Sequence, residues 1–189
     1  MRVGRRGDVV MVRLFIALDI SDEVKERIRG VGEVLRSSRA RISLVDPGIV
    51  HLTLKFLGEV EEGRIGKISD AIRTIRFESY EITVGRVSAN NPRRPRVVWC
   101  RVMDRGESAA LQQRIEEALE PLGFPREKRP FTPHITLARV KEFDPSLLPV
   151  IESLKDKEFG SCRVKGFSLK KSTLTPKGPI YEDLLEVGT

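Results

Sequence analysis

The stretch His51-Leu52-Thr53-Leu54-Lys55-Phe56 decides the fold, because its first four positions return as His134-Ile135-Thr136-Leu137. Alternating polar and apolar residues are typical of a half-buried strand, in which successive side chains point to opposite faces. Each histidine therefore shares a strand face with the threonine two residues later. One such pattern would indicate an ordinary strand with a surface or core histidine. The chain has only two histidines, and their matching frames favour a shared function.

The composition describes a globular chain with a basic surface. A length of 189 residues allows one domain or two small, intimate lobes. The net charge of +7 favours a polyanionic partner, although a merely soluble basic protein would carry the same charge. Cys100 and Cys162 lack metal-ligand or redox spacing and fit a reducing compartment. With no membrane-length apolar run and no signal peptide, we expect a cytoplasmic protein that does not associate with membranes.

Apolar periodicity and turn residues divide the chain into alternating strands and helices. Residues 1–10 are basic and contain glycine, so we expect a disordered extension, with an RNA-binding arm as the alternative. Residues 11–189 are expected to form one bilobal domain. Residues 38–48 are predicted to be a loop. The predicted helices cover 21–36, 61–76, 107–121 and 145–156, and the predicted strands cover 12–18, 49–57, 80–88, 97–102, 133–141, 159–174 and 179–186.

The order of these elements repeats at an offset of about 84 residues. Strand 12–18 corresponds to strand 97–102, and helix 21–36 corresponds to helix 107–121. The repetition predicts a duplicated unit whose two lobes are related by a pseudo-twofold axis, with the histidine strands meeting in a central cleft. Short turns between strands predict an α+β fold of largely antiparallel sheets with outer helices. We expect a monomer.

The repeated residues suit acid–base chemistry on a phosphate ester. One imidazole can accept a proton while the other donates one near neutral pH. The hydroxyls of Thr53 and Thr136 can donate hydrogen bonds to non-bridging phosphate oxygens. The sequence lacks a Gly-x-Ser-x-Gly elbow, a glycine-rich phosphate loop and a metal-ligand cluster. We therefore expect metal-independent attack at phosphorus, without a cofactor.

Longer motifs around the histidines carry a family resemblance that runs from about residue 11 to about 186. The chain resembles the 2H phosphoesterase superfamily, and within it the RNA 2′,3′-cyclic phosphodiesterases, a family also named 2′-5′ RNA ligase. The motifs are Arg13-Leu14-Phe15-Ile16-Ala17-Leu18-Asp19, residues 51–58 (HLTLKFLG), residues 132–139 (TPHITLAR) and residues 172–181 (STLTPKGPIY).

The resemblance implies hydrolysis of a 2′,3′-cyclic phosphate at an RNA end, tRNA fragments included, to a 2′-phosphomonoester. It implies that His51 is the proton donor to the leaving 3′ oxygen and that His134 is the proton acceptor that activates water. Thr53 and Thr136 would bind the phosphate. The same site could also join a cyclic phosphate to a 5′-hydroxyl and form a 2′-5′ linkage.

The resemblance also implies substrate-binding roles for Arg139, Lys55 and Tyr181. Strict alternation places Arg139 on the face opposite His134, so its role requires a bend in the strand. Structural roles for Lys55 and Tyr181 remain open. Two other functions also remain open: a non-catalytic module that binds RNA ends, and a phosphodiesterase for 2′-5′ oligonucleotides or a small cyclic nucleotide.

Overall fold

Nine antiparallel strands form one sheet in the part of the chain that the structure, a computed structural model, describes: residues 9–176 and 178–189. The strands are β1 (Met11–Asp19), β2 (Arg41–Leu44), β3 (His51–Glu61), β4 (Tyr80–Ala89), β5 (Val97–Met103), β6 (His134–Glu142), β7 (Glu158–Val164), β8 (Gly166–Thr175) and β9 (Gly178–Gly188). The helices are α1 (Asp22–Arg36), α2 (Ile65–Arg73), α3 (Glu107–Leu119) and α4 (Leu147–Ser153).

The sheet is divided in its middle, where the two histidine strands meet. Its order is β7-β4-β5-β6-β3-β1-β8-β9, and β2 pairs with β6 outside this path. β3 and β6 are joined through the Cα pair Leu52 and Ile135, whereas β1 pairs with β3 along its whole length. The first lobe therefore contains β3, β1, β8 and β9, and the second contains β7, β4, β5, β6 and β2. This confirms the predicted α+β fold.

The helices on the outside of the sheet interlock the two lobes. α1 follows β1 of the first lobe in sequence but packs on β7 and α4 of the second. α3 follows β5 of the second lobe but packs on β3 and α2 of the first. Ser21 caps α1, and the apolar stripe of this helix is buried: Val24, Ile28, Val31 and Leu35. None of the described helices is both long and apolar enough to cross a membrane.

Several predicted boundaries differ from the structure, among them the ends of helix 61–76, which is α2 over Ile65–Arg73. The predicted strand 159–174 is wrong, because it breaks at Lys165 into β7, which pairs with β4, and β8, which pairs with β1 of the other lobe. Part of the predicted loop 38–48 forms the strand β2, which pairs with β6. The first histidine strand continues through Gly58, whose positive φ of 75° suits glycine. Most of the predicted N-terminal extension, residues 1–8, lies outside the described residues.

Each histidine strand contains a β-bulge at the same position of its motif. In β3, Thr53 pairs with Ala17 and Lys55 pairs with Ile16, which leaves Leu54 as the extra residue. A bulge turns two consecutive residues toward one face and shifts the alternation by one position. The exposure pattern from the histidine onward is therefore half-buried, buried, half-buried, buried, buried, exposed in both β3 and β6.

The bulge in β3 directs Lys55 away from the histidine face and into the core. Its Nζ donates a 2.5 Å hydrogen bond to Glu116 Oε2 on α3 and a 2.9 Å hydrogen bond to the Pro125 carbonyl. Gln112 donates to the other oxygen of Glu116 at 2.8 Å. The Lys55 and Glu116 side chains are 4% and 5% exposed. This corrects the expectation that Lys55 contacts substrate: it anchors α3 to the back of the strand.

We predict that Glu116→Leu destabilises the protein by about 3–5 kcal/mol, because it leaves a buried ammonium without its carboxylate. The double variant Lys55→Met/Glu116→Leu should recover most of that loss, since no buried charge then remains. Urea unfolding followed by circular dichroism measures both. Equal stability of the single variant and the unmodified protein would contradict a structural role for this ion pair.

Candidate active site

The Leu52–Ile135 pair determines which side chains face the cleft between the lobes. Both side chains are fully buried in the core, so the residues on either side of each point to the opposite surface of the sheet, here called the cleft face. Continuing the antiparallel register by one residue places His51 beside Thr136 and Thr53 beside His134.

The two histidines thus occupy opposite corners of a four-residue group. Diagonal neighbours on antiparallel strands lie about 7–8 Å apart, a spacing that leaves room for a phosphate group between the two rings. The structure therefore brings His51, Thr53, His134 and Thr136 together, as their repeated spacing predicted.

Both imidazoles are held by the same backbone contact. Nδ1 of His51 lies 2.9 Å from the carbonyl oxygen of Ile49, and Nδ1 of His134 lies 2.7 Å from that of Thr132. A carbonyl only accepts hydrogen bonds, so Nδ1 carries a hydrogen in both rings. Nε2, at the far end of each ring, is then free to accept a proton, or to donate one when the ring is charged. Either histidine can therefore serve as acid or base.

Aromatic side chains cover His51. The Phe15 and Tyr181 rings have their centroids 4.9 and 5.2 Å from the imidazole. Burial beneath them lowers the pKa of His51 below its usual 6.5, and this effect outweighs the hydrogen bond to the Ile49 carbonyl, which acts in the opposite direction. His51 is therefore predominantly neutral at neutral pH in the free protein.

An ion network lies next to the covered histidine. Lys170 Nζ donates to Asp19 at 3.0 Å and to Asp183 at 2.5 Å. Although burial opposes it, hydrogen bonding to these two carboxylates raises the pKa of Lys170, so its ammonium stays charged. The Lys170 charge lowers the pKa of His51 and the Asp19 charge raises it. Sequence reasoning missed this network, since only Asp19 lies in a quoted motif and Lys170 belongs to the incorrectly predicted long strand.

His134 has different neighbours. The Trp99 ring centroid lies 4.5 Å from its own, at an interplanar angle of 41°. Arg101 is its Cα partner on β5. Sequence reasoning missed both residues, and the available signal was their alternation along the predicted strand 97–102, which places them on one face.

The second bulge brings Arg139 to the cleft face. Thr136 pairs with Trp99 and Ala138 pairs with Val98, so Leu137 is the extra residue of β6. The exposed Arg139 then lies on the same side as His134, which supplies the bend that its predicted role requires. Phe56 holds the equivalent position in β3 and is 65% exposed.

Tyr181 packs against His51, and the charges of two arginines act on its hydroxyl. Its ring is edge-on to both His51 and Phe15. Burial raises the pKa of Tyr181, while the positive charges of Arg139 and Arg13 act to lower it. Tyr181 and Arg139 thus both lie at the predicted site, whereas Lys55 does not.

No group of three or more metal-ligating residues occurs in the described ranges, and the absence of a metal from the reaction stays a prediction.

Comparisons with known proteins show which family the chain resembles. The family described as LigT like Phosphoesterase matches residues 18–99 and 104–181, each with one histidine. An RNA 2′,3′-cyclic phosphodiesterase of Archaeoglobus fulgidus is 38% identical over 174 residues, covering 92% of this chain and 98% of the relative. One of Thermotoga maritima is 35% identical over 178 residues, covering 93% and 94%.

Solved structures share the fold. A Thermus thermophilus protein, TT0787, aligns with a TM-score of 0.79 at 30% identity, covering 93% of this chain and 97% of that one. E. coli LigT complexed with 3′-AMP aligns with a TM-score of 0.77 at 26% identity, covering 95% and 98%. The family match and the shared two-lobed fold identify a phosphoesterase. The chain belongs to the LigT-like phosphoesterase family, which confirms the family resemblance.

We predict that Tyr181→Ala raises the pKa of His51 toward 6.5, because water then reaches a ring whose pKa is lowered mainly by burial. NMR titration of the imidazole carbons measures this directly, since the chain has only two histidines to assign. Phe56→Ala is the control. Phe56 packs against Phe15 rather than against the imidazole, so its removal should leave the His51 pKa nearly unchanged. An unchanged or lower His51 pKa in Tyr181→Ala would contradict this explanation.

Proposed function

We propose that the protein hydrolyses the 2′,3′-cyclic phosphate at an RNA end to a 2′-phosphomonoester, with His51 as proton donor and His134 as proton acceptor. The observation that carries the proposal is the pair of imidazoles with identical Nδ1 anchoring, each beside a threonine, at one cleft between two lobes. Relatives that are named RNA 2′,3′-cyclic phosphodiesterase support the substrate class.

The proposed reaction is an in-line displacement by water. Nε2 of His134 takes a proton from the water as its oxygen bonds to phosphorus. The bond from phosphorus to the 3′ oxygen breaks, and the protonated Nε2 of His51 gives its proton to that oxygen. The 2′ ester bond remains. Thr53 and Thr136 donate hydrogen bonds to the non-bridging oxygens, where negative charge increases in the transition state.

The assignment of the donor requires His51 to be charged when the substrate is bound. Burial keeps this ring predominantly neutral in the free protein. A phosphate anion in the cleft favours the charged form of a neighbouring imidazole and raises its pKa. Substrate binding and protonation of His51 are therefore coupled, and the donor is charged as the anion enters. In the proposal His134 takes the role of base, and the aromatic ring that lies against it is that of Trp99.

A basic loop beside the cleft supports a polynucleotide substrate. The Asn90 and Asn91 side chains accept backbone hydrogen bonds within residues 90–97 and shape this loop. Its backbone is tied to β6, where Val140 N–H donates to the Arg96 carbonyl at 2.9 Å. The loop thus presents exposed arginines next to Arg139, and such residues attract phosphodiester backbones: Arg93, Arg94 and Arg96.

The same geometry supports a ligation reaction when an RNA end replaces water. His134 would then take the proton of a 5′-hydroxyl, which attacks phosphorus and leaves a 2′-5′ linkage after the 3′ oxygen departs. Water is far more concentrated than RNA ends, so hydrolysis dominates unless both ends are held together.

We predict that the purified protein, in the presence of a chelator, converts a short RNA ending in 2′,3′-cyclic phosphate to a 2′-phosphate product. His51→Ala and His134→Ala should each abolish turnover with unchanged thermal unfolding, and Thr53→Ala or Thr136→Ala should lower kcat by about 10²–10³. Phosphorus NMR identifies the product. A 3′-phosphate product, chelator inhibition, or tight binding without turnover would each contradict the proposal.

The acid and base assignments are tested separately by a substrate whose 3′ oxygen is replaced by sulfur. A thiolate leaves without protonation, so His51→Ala should regain most of its activity on this substrate, while His134→Ala should stay inactive because water still needs a base. Rescue of His134→Ala instead would reverse the two roles. Single-turnover rates make the comparison independent of product release.

A further inference from the structure

Arg13 lies on the wall of the first lobe, beyond the covered histidine. Its Cα partner on β8 is Ser172, and the partner of Ser172 on β9 is Tyr181, so the three share one face. Arg13 is exposed and lies two residues from Phe15, which packs on His51. Two residues advance a strand by about 6.6 Å, so Arg13 lies one side-chain step beyond Phe15, on the side away from Asp19, the Cα partner of His51.

The charge of Arg13 is not neutralised within the described residues. Its Cα partner on β3 is Glu59, yet no ion pair of residues 9–176 and 178–189 includes Arg13. Lys170, the buried cation on the same wall, is bound by two carboxylates. Arg73, on an outer helix, pairs with Asp70. An exposed, unpaired guanidinium is suited to bind phosphate with two parallel hydrogen bonds.

If the proposed function holds, Arg13 lies in the direction in which the RNA chain extends from the cleft. In-line attack places water beside His134 and the 3′ oxygen beside His51, so the ribose lies over the first lobe. The 5′ side of that ribose carries the next phosphodiester of an RNA chain. Along this wall it reaches Arg13 and the Tyr181 hydroxyl, which is within electrostatic range of the Arg13 charge.

We propose that Arg13, together with the Tyr181 hydroxyl, forms a binding subsite for the phosphate on the 5′ side of the terminal nucleotide. The subsite distinguishes the end of a nucleic acid chain from a cyclic mononucleotide that has a 5′-hydroxyl. It is separate from the group that holds the reacting phosphate, and it rests on the proposed orientation of the ribose.

Two substrates that differ by one phosphate test this subsite: a 2′,3′-cyclic mononucleotide with a 5′-hydroxyl, and the same nucleotide with a 5′-phosphate. For the unmodified protein we expect kcat/KM to be about tenfold higher with the 5′-phosphate, the effect of one charge-assisted hydrogen bond. Arg13→Gln should reduce this ratio to near one while hydrolysing the 5′-hydroxyl substrate within about twofold of the unmodified rate. Arg13→Lys should keep part of the preference.

Arg73→Gln is the matched control, because it removes the same charge from an outer helix and should leave the ratio at about ten. A dinucleotide with a terminal cyclic phosphate should behave like the 5′-phosphate substrate, and Arg13→Gln should reduce the salt dependence of its binding by about one logarithmic unit per unit of log salt. A ratio near one for the unmodified protein, or an unchanged ratio in Arg13→Gln, would overturn the subsite. No hydrolysis of either substrate would instead overturn the proposed function.

Discussion

The backbone contact between Leu52 and Ile135 is the constraint on which the site depends. Both side chains are fully buried and lie opposite each other at the junction of the lobes. Because side chains alternate along a strand, burying these two residues directs the flanking histidines and threonines to the other face. A shift of either strand by one residue would bury an imidazole and expose a leucine or isoleucine. The hydrophobic core therefore holds the polar group in register.

The two histidine strands have a bulge at the same position, but different side chains follow it in the two lobes. The residue that follows the extra leucine is Lys55 in β3 and Ala138 in β6, and both face the core. Lys55 is tolerated there because Glu116 and a carbonyl oxygen satisfy its ammonium. The next residue faces the cleft, as Phe56 in one lobe and Arg139 in the other. The position after the bulge is thus aromatic in the first lobe and cationic in the second.

The residues opposite the histidines differ in the same way. Asp19 is the Cα partner of His51, and Arg101 holds the equivalent place beside His134. A carboxylate beside an imidazole favours its charged form. Burial under Phe15 and Tyr181 lowers the pKa of His51 and outweighs the effect of the carboxylate. His51 therefore becomes charged only when a bound anion favours the protonated ring. The two matching strands thus place the histidines in different surroundings, as the proposed donor and acceptor roles require.

The α+β class, the antiparallel sheets and the cleft group could be predicted because they follow from local periodicity and a repeated motif. Lys55 could not be placed correctly, since a bulge interrupts the alternation without a glycine or proline to signal it. The same bulge explains why Arg139 faces the cleft against strict alternation. The break at Lys165 was missed although Gly166 follows it, and tertiary pairing sends β7 and β8 to different lobes. The Lys170 network likewise depends on β1, which is distant in sequence from the hairpin of β8 and β9.

The central claim is that one phosphate group contacts both histidines at once. Titrating the protein with inorganic phosphate, while following both imidazole resonances by NMR, tests this claim most directly. The account predicts that the two histidines shift together with a single dissociation constant, and that replacing Thr53 or Thr136 by alanine weakens both responses equally. Movement of only one imidazole, or two distinct dissociation constants, would show that the lobes bind phosphate separately and would contradict the account.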